Sequence, residues 1–127
     1  MKIENTLSFI FILLFTNNIY SYNSDNLCEK LINNGENLAA IEAVTKIKNK
    51  YDKNFCLGKA YFRENMYEKS INAFKESETH ADLPADQMFS ILFKGVAERN
   101  LGALSTSTKT LTRGLETAKL GNSKYLE

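Results

Sequence analysis

The chain has 127 residues, of which 16 are Lys or Arg and 15 are Asp or Glu, giving a formal net charge of +1. This near balance argues against a nucleic-acid-binding surface, which needs an excess of basic residues on one face. The length allows one small domain, because two separate hydrophobic cores would need a longer chain. Thirteen of the basic residues are lysines and 14 residues are asparagines, a bias that suggests an AT-rich genome and fits a bacterial envelope protein.

Residues 7–15 form an apolar block that is interrupted only by Ser8. Nine helical residues span roughly 14 Å, about half of the ~30 Å hydrocarbon core of a bilayer. The block therefore predicts a signal peptide over residues 1–21, cut after Ser21, and export to the periplasm or, alternatively, secretion. A retained short anchor and a buried amino-terminal helix remain as alternative interpretations.

Apolar residues recur at helical spacing along the rest of the chain, and no stretch alternates long enough to predict a strand. Leu38 and Leu104 are expected on the buried faces of their helices. Asn65 and Glu68 predict a capping box before the fourth helix, and Pro84 predicts the start of the fifth. The fold class is therefore all-α. The predicted helices cover residues 24–33, 36–49, 52–64, 67–78, 85–100 and 103–119.

Three segments of the chain share a pattern of residues at fixed offsets. A small residue in each first helix is followed seven positions later by a residue suited to a tight turn. A second small residue follows at twelve positions and a bulky one at sixteen, because closely packed helices need a small residue at their approach and a bulky one beside it. The sets are Cys28, Gly35, Ala40 and Val44; Gly58, Asn65, Ser70 and Phe74; and Gly95, Gly102, Ser107 and Leu111.

The second copy is the best defined, with Leu57, Gly58 and Tyr61 followed by Tyr67 and Phe74. Its spacing resembles the tetratricopeptide repeat pattern. The resemblance implies a right-handed superhelical stack of helical hairpins, an α-solenoid, and a concave groove that binds another protein. It places one repeat domain over residues 22–127, with repeats at about 22–50, 51–84 and 85–121.

The resemblance also implies which residues line the groove. Apolar anchors beside basic side chains suit an extended or helical peptide that carries acidic residues. In a second interpretation, Phe55 and Phe62 are partly core and the charged side chains only solvate the rim. The implied positions are Asp25, Glu29, Ile32 and Asn33 in the first repeat, Phe55, Lys59, Phe62 and Arg63 in the second, and Leu92, Val96, Arg99 and Asn100 in the third.

Cys28 and Cys56 fall in adjacent first helices at nearly equivalent heights. In an oxidising compartment they can form a disulfide, or both can be small buried packing residues. The single histidine, His80, is predicted in a loop between repeats, and no phosphate-binding loop or nucleophile motif occurs. The sequence therefore predicts no cofactor, no metal site and no enzyme.

The carboxyl end predicts a second kind of contact. Gly121 and Asn122 are expected to end the sixth helix, which would leave Leu111 and Leu115 partly uncovered. Arrays of this kind usually close with a polar capping helix. An uncovered end therefore predicts self-association or a capping partner at this face.

Two functions follow from these patterns. The first is an exported scaffold or adaptor of the cell envelope that holds a peptide or partner protein in its groove. The second is a secreted factor that uses the same scaffold on a host protein. A small catalytic or ligand-binding helical domain is the third and weakest interpretation.

Overall fold

A computed structural model describes residues 27–126, with side chains described for residues 27–121. The predicted signal peptide and Asp25 lie outside this part of the chain. Residues 27–126 form six α-helices and one short 3-10 helix, Val44–Lys46, and contain no strand, which confirms the all-α class. The α-helices are α1 Leu27–Asn33, α2 Asn37–Ala43, α3 Lys50–Arg63, α4 Tyr67–Thr79, α5 Pro84–Leu101 and α6 Leu104–Leu126.

The helices form three hairpins, which we number in chain order: α1 with α2, α3 with α4, and α5 with α6. Each helix packs against the next one along the chain, and the first helices of neighbouring hairpins also touch, α1 with α3 and α3 with α5. α3 therefore contacts the first helix of each of the other two hairpins.

The three hairpin turns have the same backbone geometry. Each contains one residue with positive φ: 82° at Gly35, 59° at Asn65 and 94° at Gly102. A backbone hydrogen bond spanning five residues closes each turn and satisfies a carbonyl at the end of the first helix. These bonds run from Glu36 N to Leu31 O at 2.8 Å, from Met66 N to Tyr61 O at 2.9 Å, and from Ala103 N to Glu98 O at 2.9 Å.

The predicted capping box at Asn65 is wrong. Met66, not Asn65, occupies the N-cap position of α4, and no side chain caps that helix. Asn65 instead adopts the left-handed conformation that the turn requires and accepts a hydrogen bond from the Tyr67 hydroxyl at 2.7 Å. Asparagine tolerates both roles, and here the turn prevails.

A buried serine joins the two helices of the second and third hairpins. Ser70 donates to the carbonyl oxygen of Gly58 at 2.8 Å, and Ser107 donates to that of Gly95 at 2.7 Å. Bulky side chains cover the same glycines: a Cβ built on Gly58 would lie 2.5 Å from Phe74, and one on Gly95 would lie 2.6 Å from Leu111. The offsets of twelve and sixteen residues therefore correspond to physical contacts in both hairpins.

The second predicted helix, 36–49, is shorter in the structure. α2 ends at Ala43, the 3-10 helix follows, and the chain is extended at Ile47. Asn49 then caps α3, because its side chain accepts a hydrogen bond from Asp52 N at 3.0 Å. An asparagine three residues before an acidic residue favours a helix start over a helix interior. The predicted start near Pro84 is confirmed, with Pro84 in the first turn of α5.

The sixth helix is longer than expected. It continues through Gly121 and ends at Leu126, because a single glycine costs only about 1 kcal/mol in a helix interior. Leu111 is only 4% exposed, and Leu115 is partly buried beside Leu92. The expectation of a partly uncovered side chain is therefore wrong for Leu111, whereas Leu115 is partly exposed. Polar side chains cover much of the outward surface of α6: Ser105, Thr106, Thr108, Lys109 and Thr112 are exposed.

Two residues expected on buried helix faces are exposed. Leu38 is 60% exposed and Leu104 is 63% exposed. Both lie in the first turn of the second helix of a hairpin, next to the connecting turn.

Candidate protein-binding surface

Apart from Asp25, the predicted contact residues lie on α1, α3 and α5, and α3 touches both of the other two helices. Whether each of these residues can contact a ligand depends on its surroundings. Some are exposed to solvent, some are paired within the chain and some are buried.

Lys59 is paired within the chain. Its ammonium group forms an ion pair with Glu29 of α1, and each side chain is 21% exposed. The same ammonium lies 5.2 Å from the ring centroid of Phe55, a cation–π distance. Two predicted groove residues, Glu29 and Lys59, therefore neutralise each other, and Lys59 presents less charge to a ligand than its sequence position suggests.

Arg63 is exposed but also has a structural bond. Its guanidinium donates to the carbonyl oxygen of Ile32 at 2.8 Å, close to the end of α1. The last carbonyls of a helix have no partner within it, and a cation there also favours the helix dipole. Arg63 of α3 thus caps the carboxyl end of α1 and links the first hairpin to α3. Asn33, the next predicted residue on α1, is exposed.

Phe55 is the centre of an aromatic cluster. Its ring centroid lies 5.4 Å from Tyr51, 5.6 Å from Phe74 and 5.2 Å from Phe93, the last two in edge-on geometry. Pairs of this kind stabilise a fold beyond the area that they bury. Phe93 lies on α5, so the cluster joins the second and third hairpins. Phe55 is partly buried and serves the core as well as the surface.

The apolar positions of the other helices are mostly buried. Ile32 is 1% exposed, while Leu92 and Val96 are each 7% exposed. Leu92 and Val96 form a core cluster with Leu111, against which the partly buried Phe62 packs. Side chains at this level of burial offer a ligand almost no surface. Among the predicted contact residues in this cluster, only Phe62 keeps an exposed part that a partner could touch.

Arg99 and Asn100 are the exposed members of the third repeat. Asn100 donates a hydrogen bond to Val96 O at 2.9 Å, one turn back along α5. Both follow Val96 at the carboxyl end of α5, on the helix to which Phe62 of α3 packs. The predicted residues that remain accessible are therefore few: Phe62, which is partly buried, and the exposed Arg63, Arg99 and Asn100, besides Asn33 on α1.

A charged cluster that the sequence did not reveal links α4, α5 and α6. Arg113 donates to both carboxylate oxygens of Glu78, with Nη2 3.1 Å from Oε2, and Lys94 Nζ lies 3.3 Å from Oε2. Burial by itself would raise the pKa of Glu78. The hydrogen bond and charge of Arg113, together with Lys94, outweigh burial and lower that pKa below its usual value. Spacings of 16 and 35 residues leave no local signal for this cluster.

A second acidic group behaves in the opposite way. Asp86 lies in the first turn of α5. Burial, the nearby charge of Asp52 and that of Asp82 raise the pKa of Asp86, against a hydrogen bond with Tyr51 that lowers it. The carboxylates of two first helices, α3 and α5, therefore repel each other at this end of the hairpins.

The two cysteines are joined in the structure. Cys28 of α1 and Cys56 of α3 form a disulfide with a Cα–Cα distance of 6.4 Å, and both side chains are fully buried. The bond crosses from the first hairpin to the second. It belongs to the packing between hairpins and lies away from the exposed surface.

Several other kinds of site receive no support from the part of the chain that the structure describes. Within residues 27–126, no group of three or more His, Cys, Asp or Glu side chains is placed to hold a metal ion. None of the helices described here has the length and apolar character needed to cross a bilayer. His80 lies at the end of α4, 3.9 Å from Glu76.

Comparison with models of protein families, with curated proteins and with solved structures finds no match to this chain. The function must therefore be argued from its own geometry.

Proposed function

We propose that this protein is an exported adaptor of the tetratricopeptide type that holds a polypeptide against its first helices. The observation that carries the proposal is the repetition of contacts. Three turns close with the same backbone hydrogen bond, and two hairpins share the same serine–glycine bond and the same bulky contact on glycine. An array of equivalent hairpins is an architecture that builds extended protein-binding surfaces.

The contacts between hairpins support a stacked arrangement. α1 and α3 are linked through Lys59 with Glu29 and through Arg63 with Ile32 O. α3 and α5 are linked through Phe55 and Phe93. Since these links join first helices, they favour a stack in which the three first helices together form one continuous surface.

The proposed contact surface is narrower than the sequence suggested. It consists of Phe62, Arg99 and Asn100, with the exposed part of Arg63 at its border. An apolar ring beside an exposed guanidinium suits a peptide with an apolar anchor and a carboxylate, because an arginine binds a carboxylate through two parallel hydrogen bonds. Leu92, Val96 and Ile32 are left out of this surface because they are buried.

The compartment is part of the proposal. A disulfide between Cys28 and Cys56 supports an oxidising environment, since disulfides rarely persist in a reducing cytosol. This agrees with the apolar block at residues 7–15. Self-association stays a prediction, to be measured by light scattering. On α6, Leu111 is covered, whereas Leu104 and Leu120 are exposed.

Site-specific crosslinking tests the binding surface. A photoreactive benzophenone side chain is placed at position 99 in one variant and at position 109 in another, in the cell that makes the protein. Arg99 and Lys109 are both exposed and basic, but Lys109 lies on α6 outside the proposed surface. A discrete adduct at position 99 that is absent at position 109 supports the proposal. The same products at both positions, or none at 99, contradict it.

Charge reversal gives a second measurement. Arg99→Glu, in a variant that carries the benzophenone at position 100, should abolish recovery of the crosslinked partner, with Lys109→Glu as the control. Arg99 lies in the last turn of α5, so its reversal should lower the thermal unfolding temperature only slightly, through the helix dipole. Lys59 and Arg63 are poor choices for such a test, because reversing either charge would also break a link between hairpins.

A further inference from the structure

We propose that the first hairpin is a redox-dependent part of the fold. It docks on α3 when Cys28 and Cys56 are joined and opens when a dithiol reduces them, while the second and third hairpins stay folded. This inference concerns the docking of α1 and α2. It does not depend on which partner the protein binds.

The first hairpin lacks the internal bond that the other two have. Residue 40 occupies the position of Ser70 and Ser107, but alanine has no hydroxyl to donate. Cys28 occupies the position of Gly58 and Gly95, and its side chain forms the bond to Cys56 of α3. The first hairpin therefore replaces a hydrogen bond between its own two helices with a covalent bond to the next hairpin.

The second helix of the first hairpin is also too short to be stable alone. α2 has seven residues, whereas α3, α4, α5 and α6 have 14, 13, 18 and 23. Isolated helices shorter than about 12–15 residues are marginal in water, so α2 depends on packing.

The core of the first hairpin is built around the disulfide. Its buried residues are Cys28, Ile32, Ala40 and Val44, with Cys56 and Ala60 on the α3 side. The larger apolar side chains packed against this cluster are only partly buried: Leu31, Ile41, Ile47 and Leu57. Hydrophobic stabilisation scales with the apolar area buried, so these four contribute less than fully buried side chains would.

The remaining links to α3 and its turn are polar. The Lys59–Glu29 pair is partly exposed, Arg63 donates to Ile32 O, and the Asn37 side-chain amide donates to Glu64 Oε1 at 2.9 Å. Partly exposed ion pairs and single hydrogen bonds stabilise a fold only modestly. The disulfide is thus the strongest single constraint on the first hairpin.

The chemistry is a two-electron thiol–disulfide exchange. One thiolate of the dithiol attacks a sulfur of the Cys28–Cys56 bond, which releases the other cysteine as a thiolate and forms a mixed disulfide. The second thiolate of the same reagent then attacks the reagent's own sulfur in that mixed disulfide and releases the second cysteine thiolate. The protein gains two electrons and two protons as two thiols, and the reagent becomes a cyclic disulfide. Because both cysteines are fully buried, attack must wait for a local opening of the first hairpin.

Hydrogen exchange of the full chain, measured oxidised and after reduction with dithiothreitol, tests the proposal. The disulfide joins residues 28 positions apart. On the chain-entropy model, closing a loop of this size raises the equilibrium constant for the docked hairpin by up to several hundred-fold. Amides of residues 27–46 should therefore exchange at least about ten-fold faster after reduction. Amides of α4, α5 and α6 should keep their rates. Unchanged rates in residues 27–46, or loss of protection in all helices together, would overturn the proposal.

A rescue variant separates this mechanism from a general loss of stability. Cys28→Gly with Cys56→Ala should exchange at least as fast as the reduced protein and no longer respond to dithiothreitol, and it places glycine at the position of Gly58 and Gly95. Adding Ala40→Ser to this variant should slow exchange in residues 27–46 several-fold, because it restores the hydroxyl found at positions 70 and 107. Ala39→Ser is the matched control, since Ala39 is exposed and should have no effect. Equal behaviour of the two serine variants would count against the proposal.

Discussion

The hydroxyl of Ser70 donates a hydrogen bond to the carbonyl oxygen of Gly58 at 2.8 Å, and this bond holds α4 against α3. The bond between Ser107 and Gly95 at 2.7 Å holds α6 against α5 with the same residue offset. Since the glycines have no side chain, the serine oxygen can reach a helical carbonyl across the interface. Two chemically equivalent contacts in successive hairpins indicate that the second and third hairpins share the same packing between their two helices.

Replacing either serine should therefore cost a similar amount of stability. Ser70→Ala and Ser107→Ala each remove one buried hydrogen bond, and we expect each to lower the free energy of unfolding by about 1 kcal/mol. Urea denaturation followed by circular dichroism measures the change. Ser105→Ala, at an exposed position of α6, should change the free energy by less than about 0.5 kcal/mol. A large cost at one serine and none at the other would argue against equivalent hairpins.

Part of this geometry was predictable because it depends on spacing along two connected helices. A small residue followed sixteen positions later by a bulky one predicted the contacts of Gly58 with Phe74 and of Gly95 with Leu111, and both occur. A tight turn of fixed length sets which residues of a hairpin face each other, so local sequence is sufficient. The hydroxyl bond of Ser70 was not predicted, since serine there could equally have replaced alanine as a small residue.

The surface was less predictable because it depends on how hairpins meet. Lys59 and Val96 occupy the same repeat position, one residue after the central glycine. Lys59 pairs with Glu29, whereas Val96 is buried beside Leu111 and Phe62. The surroundings of such a position come from the neighbouring hairpins, which spacing within one repeat does not describe.

The close approach at Gly58 predicts a steric effect of a single methyl group. Gly58→Ala would place a Cβ 2.5 Å from Phe74, so the ring must move, and we expect a loss of about 1–3 kcal/mol in the free energy of unfolding. Combining it with Phe74→Leu should recover part of this loss, because the two changes act on the same contact. A double-mutant cycle in urea measures the coupling, and additive effects would contradict it.

The same substitution at Gly121 should have the opposite sign. Gly121 lies within α6, and a Cβ there would meet no atom within 4 Å. Alanine is a better helix former than glycine by about 1 kcal/mol, so Gly121→Ala should stabilise the protein. Thermal unfolding of the two alanine variants side by side tests both predictions. A Gly121→Ala variant with unchanged stability would show that this end of α6 is not helical in solution, because the advantage of alanine exists only in a helix.

The ion cluster of Glu78, Lys94 and Arg113 predicts a pH-dependent contribution to stability. Glu78→Gln removes the charge that both cations contact, and we expect a loss of about 1–3 kcal/mol at neutral pH. Since the pKa of Glu78 is lowered in the folded protein, the wild-type contribution is present above the usual carboxylate pKa of 4.5 and is lost as pH falls through the folded value. Wild type and variant should therefore converge in strongly acidic solution.

Urea unfolding at a series of pH values from neutral to strongly acidic measures this convergence. Glu116→Gln, an exposed glutamate of α6, is the control and should follow wild type throughout. A constant difference between Glu78→Gln and wild type across the whole range would show that the charge of Glu78 is not the cause.

Asp86 should respond in the opposite direction. Burial and the charge of Asp52 raise its pKa in the folded protein, so the ionised carboxylate opposes folding above that pKa. Asp86→Asn should therefore raise the thermal unfolding temperature at neutral pH. The gain should disappear as pH falls below 3.8, the usual pKa of the aspartate side chain, because the wild-type carboxyl is then neutral in both states.

Glu68→Gln is the matched control: Glu68 is an exposed acid in the first turn of α4, and its removal should cost about 0.3–1 kcal/mol through the helix dipole. Opposite signs for these two first-turn substitutions are the expected result, and a loss of stability in both would mean that the repulsion between Asp86 and Asp52 is weaker than the helix dipole.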